Sequence, residues 1–191
     1  MRISGGQLKG RKVAPQKIFL KKDSDRRLRP TSSKVREAIF DILRNCIDGD
    51  AFLDLYAGTG AVGLEALSRG TSAVYFIEDD RIRSKTIGDF IKKAGIGDRA
   101  YVYREKAQDF LERASRSGIS FDIIFADPPY ASDETERILP LIATHDVLRK
   151  GGCLIVEHSS RVTVPGDFES LVFIKNYRYG DTMLTLYRKE S

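Results

Sequence analysis

No run of about 18 apolar residues occurs in this chain, and its opening, MRISGGQLKG, lacks the apolar core that a secretion signal needs. Neither a membrane span nor export is expected, which leaves the cytoplasm. Cysteine is scarce: Cys46 and Cys153 lie in unrelated segments and neither belongs to a Cys-x-x-Cys pair. A disulfide framework or a cysteine zinc site therefore has no support, and both read as buried thiols. The only two histidines, His145 and His158, have no triad partner and no metal-ligand spacing, so they read as non-catalytic and no metal is expected. Repeats and low-complexity stretches are missing too.

Acidic side chains are nearly missing from one end. Residues 1–36 carry twelve Lys and Arg against Asp23 and Asp25, a net +10, whereas the remaining 20 basic and 25 acidic residues leave the rest at −5. A basic arm on a mildly acidic body suggests that a polyanion is gripped at one place. Leu8, Val13, Ile18, Phe19 and Leu28 are interspersed with the charges, so the arm is expected to be a partly ordered lobe and not a free tail. The 191 residues, 41% hydrophobic and 31% charged, otherwise suit one soluble globular domain.

Pro30-Thr31-Ser32-Ser33 looks like a helix start, and Val35, Ala38, Ile39, Ile42 and Leu43 follow at helical spacing. From residue 51 short apolar strands (51–56, 73–78, 100–104, 122–126 and 153–157) alternate with helical stretches near 61–69, 80–94, 107–117 and 133–148. This predicts βαβ units and a parallel sheet. The apolar segments 170–177 and 182–188 flank Tyr179-Gly180-Asp181 and predict an antiparallel hairpin.

Two stretches carry chemistry. The first strand runs into Ala57-Gly58-Thr59-Gly60-Ala61-Val62-Gly63, and Glu78 closes the next strand twenty residues after Gly58. Glycines permit a sharp strand-to-helix turn whose N–H groups face a ligand, and an acidic group at that spacing accepts from ribose hydroxyls. A nicotinamide dinucleotide fits this pattern as well as any other nucleoside cofactor. The second stretch, Asp127-Pro128-Pro129-Tyr130, follows strand 122–126 at the carboxyl edge of the sheet. Its aspartate and rigid carbonyl can each accept one N–H of an exocyclic base amine, which orients a poorly nucleophilic nitrogen, and Tyr130 can stack on a displaced base. Amino methylation of a nucleic-acid base fits this set.

Five stretches, ISGGQLKGRK, RPTSSKVREAIFDIL, DLYAGTGAVGLEALSRG, FDIIFADPPY and YGDTMLTLY, resemble the bacterial 16S ribosomal RNA guanine-N2 methyltransferases. The likeness covers nearly the whole chain. It implies a Rossmann-like class I methyltransferase with a mostly parallel seven-stranded sheet and a C-terminal antiparallel hairpin. A small basic N-terminal RNA-binding lobe over 1–30 would precede the catalytic domain over 31–191.

The resemblance further implies S-adenosylmethionine across Asp54, Tyr56, Gly58, Thr59 and Gly60, with Glu78 on its ribose and Arg29 and Thr31 over the cofactor or incoming base. Asp127, Pro128 and Tyr130 would be the catalytic residues. Arg2, Lys9, Arg11 and Lys12 would meet phosphates of 16S ribosomal RNA, free or in a small-subunit assembly particle. Two positions depart from the family pattern. Lys106 precedes Ala107 where an aspartate is usual near the adenine, leaving the Ala107 N–H for that contact, and Asp89 replaces a helical asparagine as a surface change. No general base is strictly needed, because the methylated amine can lose its proton to water. Oligomeric state is unreadable, with a monomer the default. Three rivals remain: an adenine-N6 nucleic-acid methyltransferase, a nicotinamide-dependent oxidoreductase and a ribosome-assembly factor without catalysis.

Overall fold

The computed structural model describes residues 2–13, 32–45, 51–129 and 133–190, and the statements below concern those residues. Helix α1, Ser33–Ile42, begins as expected: the Ser32 hydroxyl accepts from the Val35 N–H at 3.2 Å, and Val35, Ala38 and Ile39 are buried. Strands and helices then alternate as β1 (Ala51–Leu55), α2 (Ala61–Ser68), β2 (Ala73–Ile77), α3 (Arg81–Ala94), β3 (Ala100–Tyr103), α4 (Ala107–Arg116), β4 (Phe121–Ala126), α5 (Glu134–Thr144) and β5 (Leu148–Ser159). Strands β6 (Leu171–Tyr179) and β7 (Thr182–Lys189) complete a seven-stranded sheet of order β3-β2-β1-β4-β5-β7-β6.

Strands β1 to β5 are parallel to their neighbours, and β7 enters antiparallel between β5 and β6. The pairing of Tyr179 with Thr182 leaves Gly180-Asp181 as a two-residue turn, with Gly180 at φ 64°. Side chains alternate along the strands, so the sheet has two buried faces. Phe52, Phe76, Ile123 and Ile155 pack with α1, α2 and α3, whereas Leu53, Leu55, Ile124 and Leu154 pack with α4 and α5. Chain order turns back between β1 and β4, which opens a crevice above the carboxyl ends of those strands.

Two boundaries differ from the sequence expectation. Helix α5 stops at Thr144, not 148, because His145 is extended and the buried Lys189 ammonium from β7 donates to the carbonyls of Ile142, Ala143 and His145 at 3.3, 3.1 and 2.9 Å. A lysine there satisfies orphan carbonyls and complements the negative end of the helix. Strand β5 starts at Leu148, earlier than 153, across a register shift opposite Phe121 and Ile123.

The N-terminal segment 2–13 is folded onto the domain. Ile3, Leu8 and Val13 are buried in the same apolar cluster as Ile39 and Leu64. Ser4 and Gly5 donate their N–H groups to the Glu65 carboxylate of α2 at 2.8 and 2.7 Å, and the Gln7 N–H donates to the Ser68 carbonyl at 2.7 Å. The expected division at residue 30 lies outside the described residues.

Candidate active site

The crevice is built first by the turn after β1. Buried Asp54 accepts the Gly63 N–H at 2.8 Å, pinning the start of α2 to the strand. Gly63 has to be glycine: a Cβ there would lie 2.9 Å from Asp54 Oδ2 and collide with the Phe76 ring. Tyr56 is held at φ 69°, a left-handed conformation that costs a non-glycine residue on the order of 1–3 kcal/mol. Its hydroxyl donates to Glu134 Oε2 of α5 at 2.7 Å, which fixes it. Gly60, also left-handed at φ 71°, then starts α2.

Buried Glu78 follows β2 and faces this turn. Its Oε2 accepts the Gly58 N–H at 2.7 Å, and its Oε1 accepts from the Asp80 N–H and Arg83 Nε, both at 2.9 Å. The carboxylate is thus held in one orientation. Asp127 and Pro128 follow β4 across the switch point, where the Asp127 N–H reaches the Leu55 carbonyl at 3.4 Å. The sequence pattern located these residues, and the fold brings Asp54, Gly58, Glu78 and Asp127 to one edge.

Electrostatics there are dominated by carboxylates. Burial pushes Asp54 up to about 7, against the relief of the Gly63 bond, and Glu78 raises it further. Burial also raises Glu78, outweighing Arg83 and the Asp80 and Gly58 N–H groups. Asp127 is held well above the usual carboxylate range by burial, then by Glu157 and Asp54. Buried Glu157, near the end of β5, is a member of this carboxylate group that sequence reasoning missed. Its signal was an acid ending the apolar run Cys153-Leu154-Ile155-Val156, as Glu78 ends its own. Glu134, which anchors Tyr56, was missed as well and had no such signal. Among the described residues no group of three or more His, Cys, Asp or Glu is placed to hold a metal ion.

The remaining expected residues divide. Thr59 is half-buried in the turn, and Ala107 is buried at the start of α4 beside Lys106, whose side chain makes no cap bond. Asp89 is exposed and paired with Lys85 at 2.6 Å. Arg2, Lys9, Arg11 and Lys12 are all exposed; Arg2 and Lys12 face each other across a short antiparallel bridge, and Arg11 reaches the Ala94 carbonyl at 3.3 Å. His145 binds the Leu141 carbonyl at 2.9 Å at the end of α5, and Cys153 is buried. Tyr130, Arg29, Thr31 and Cys46 lie outside the described residues.

The family described as conserved hypothetical protein 95 matches residues 1–188. The YlbH protein of Bacillus subtilis (strain 168) is 34% identical, covering 99% of each chain. Ribosomal RNA small subunit methyltransferase D of Escherichia coli (strain K12) is 32% identical over 100% of this chain and 91% of its own. The solved structure of the Escherichia coli protein yhhF superimposes with a TM-score of 0.83 at 31% identity, covering 100% of this chain and 98% of that one. The chain therefore belongs to the conserved hypothetical protein 95 family, the family of ribosomal RNA small subunit methyltransferase D.

Proposed function

We propose that this protein transfers a methyl group from S-adenosylmethionine to the exocyclic N2 amine of a guanine in 16S ribosomal RNA, acting in the cytoplasm. The observation that carries the reading is the placement of Asp127 and Pro128 across the switch point from the Gly58 turn and Glu78. Family membership supports the ribosomal substrate.

The donor set suits the cofactor. Asp54, Glu78 and Asp127 bring to the crevice carboxylates whose charged forms are costly, with Glu157 acting on Asp127, and a cationic ligand relieves that cost. The same set disfavours the pyrophosphate of a nicotinamide dinucleotide. Bound there, S-adenosylmethionine supplies an electrophilic methyl on a positively charged sulfur. Glu78, held in place by the Gly58 N–H, accepts from the ribose hydroxyls. The Asp127 carboxylate and the Pro128 carbonyl each accept one N–H of the guanine amine, which aims its lone pair away from them. The exposed Arg2, Lys9, Arg11 and Lys12 meet RNA phosphates, and Tyr130 stacks on the base.

The test is mass spectrometry of ribosomal RNA nucleosides from cells with and without the gene. Loss of one N2-methylguanosine from 16S RNA on deletion is expected. Loss of N6-methyladenosine, or no change, overturns the reading.

A further inference from the structure

A second cavity, of about 400 Å³, opens beside Pro128 and Pro129. It lies between α5, the end of β5 and the segment after it, on the side of β4 away from β1 and the glycine turn. Pro128, directly after Asp127, therefore lies on the wall of this cavity. In the reaction proposed above, the ring bearing an amine held by Asp127 and Pro128 would extend into the cavity. The volume is within the range of small-molecule sites, and Leu139, Val162 and Pro165 give it apolar walls.

One charged group in this lining is uncommitted. His158 has its Nδ1 at 3.0 Å from the Ser159 carbonyl and its Nε2 at 2.8 Å from the Thr185 hydroxyl, so it shapes the cavity and does not read a ligand. At the start of α5, Asp133 is paired with Arg137, and Glu134 holds Tyr56. Glu136 lines the cavity and is exposed, and among the described residues no hydrogen bond or ion pair involves it.

We propose that this cavity receives the acceptor nucleobase and that Glu136 is its specificity-determining residue, accepting the N1–H of guanine. The inference rests on the guanine-N2 reading. Guanine carries N1–H directly beside its N2 amine, so one carboxylate at the rim reads the position next to the reacting group. Adenine presents a bare N1 lone pair there, which would face Glu136 acceptor to acceptor. This selects guanine over adenine, a choice that the Asp-Pro-Pro-Tyr stretch alone leaves open.

The test uses the full chain saturated with S-adenosylhomocysteine, with amide NMR as the readout and three probes: guanosine monophosphate, adenosine monophosphate and 2-aminopurine riboside monophosphate. The last keeps the 2-amine but lacks N1–H. Guanosine monophosphate should shift the amides of Thr135, Glu136, Ser159 and Thr163 and bind about tenfold to a hundredfold more tightly than either of the others, as expected for a hydrogen bond to a charged group. Glu136→Gln should bring the three affinities together without altering S-adenosylhomocysteine binding. No shift at these amides, or a guanine preference that survives in Glu136→Gln, overturns the proposal. If the cavity prefers guanine while 16S RNA shows no N2-methylguanosine, the pocket stands and the reaction reading falls; the converse removes the pocket alone.

Discussion

The Glu65 carboxylate within helix α2 and the carboxylates of the crevice at its start have opposite environments. Glu65, fully buried, accepts from the Ser4 N–H and hydroxyl at 2.8 Å each, the Gly5 N–H at 2.7 Å and Arg69 Nε at 3.0 Å, with Arg36 Nε at 3.4 Å. Burial alone would raise its pKa, but the Ser4 and Arg69 bonds outweigh that and hold it below the usual value. Asp54 is buried and Asp127 half-buried beside other carboxylates, and both are pushed the opposite way. A buried charge is costly unless paired, so the paired site can close a fold while the carboxylate-rich one stores affinity for a cation. Glu65 fastens the N-terminal segment.

The largest expected effect breaks the paired site. Glu65→Ala leaves the Arg36 guanidinium buried without its counter-charge and should cost about 3–5 kcal/mol of stability in urea unfolding. A loss well under 1 kcal/mol would erase the contrast between the two environments. Next comes the crevice: Asp127→Asn should lower turnover at least about a hundredfold, with a far smaller change in cofactor affinity, because in the proposed reaction the carboxylate orients only the reacting amine. A parallel fall in both would place Asp127 on the cofactor instead.

The smallest effect concerns what Glu65 holds in place. Replacing Lys9, Arg11 and Lys12 with alanine should leave cofactor binding intact and reduce the slope of log K against log salt for RNA by about 0.7–0.9 for each phosphate that is no longer neutralised. Identical slopes for parent and variant would mean that the segment serves the fold and not the RNA.

The contrast also separates what the sequence makes legible from what it hides. The sheet could be read because each strand is a short apolar run and each helix has its own period, and the Gly58 turn because glycine spacing and Glu78 are local signals. The end of α5 was misplaced because the ammonium that closes it, Lys189, lies more than forty residues further on. Glu65 was passed over for the same reason: its partners Ser4 and Gly5 are sixty residues away, and within α2 it reads as an ordinary surface acid. The N-terminal segment showed its charges in the sequence, but its attachment to the domain arises only in the fold. The cavity beside Pro128 likewise exists only once α5 and the end of β5 meet.

A cationic cofactor in the proposed crevice must displace the proton that Asp54 holds below its raised pKa. Burial raises the folded pKa of Asp54 to about 7, so below that pH it is largely protonated, and a ligand that prefers its charged form binds better as pH rises. Titration calorimetry of S-adenosylmethionine between pH 5 and 6.5, in buffers of different ionisation enthalpy, tests this directly. Affinity should climb by up to about tenfold per pH unit for each proton released, and S-adenosylhomocysteine, with a neutral sulfur, should show a shallower rise. An affinity for S-adenosylmethionine that is flat or falls with pH, with no proton released, would contradict the account.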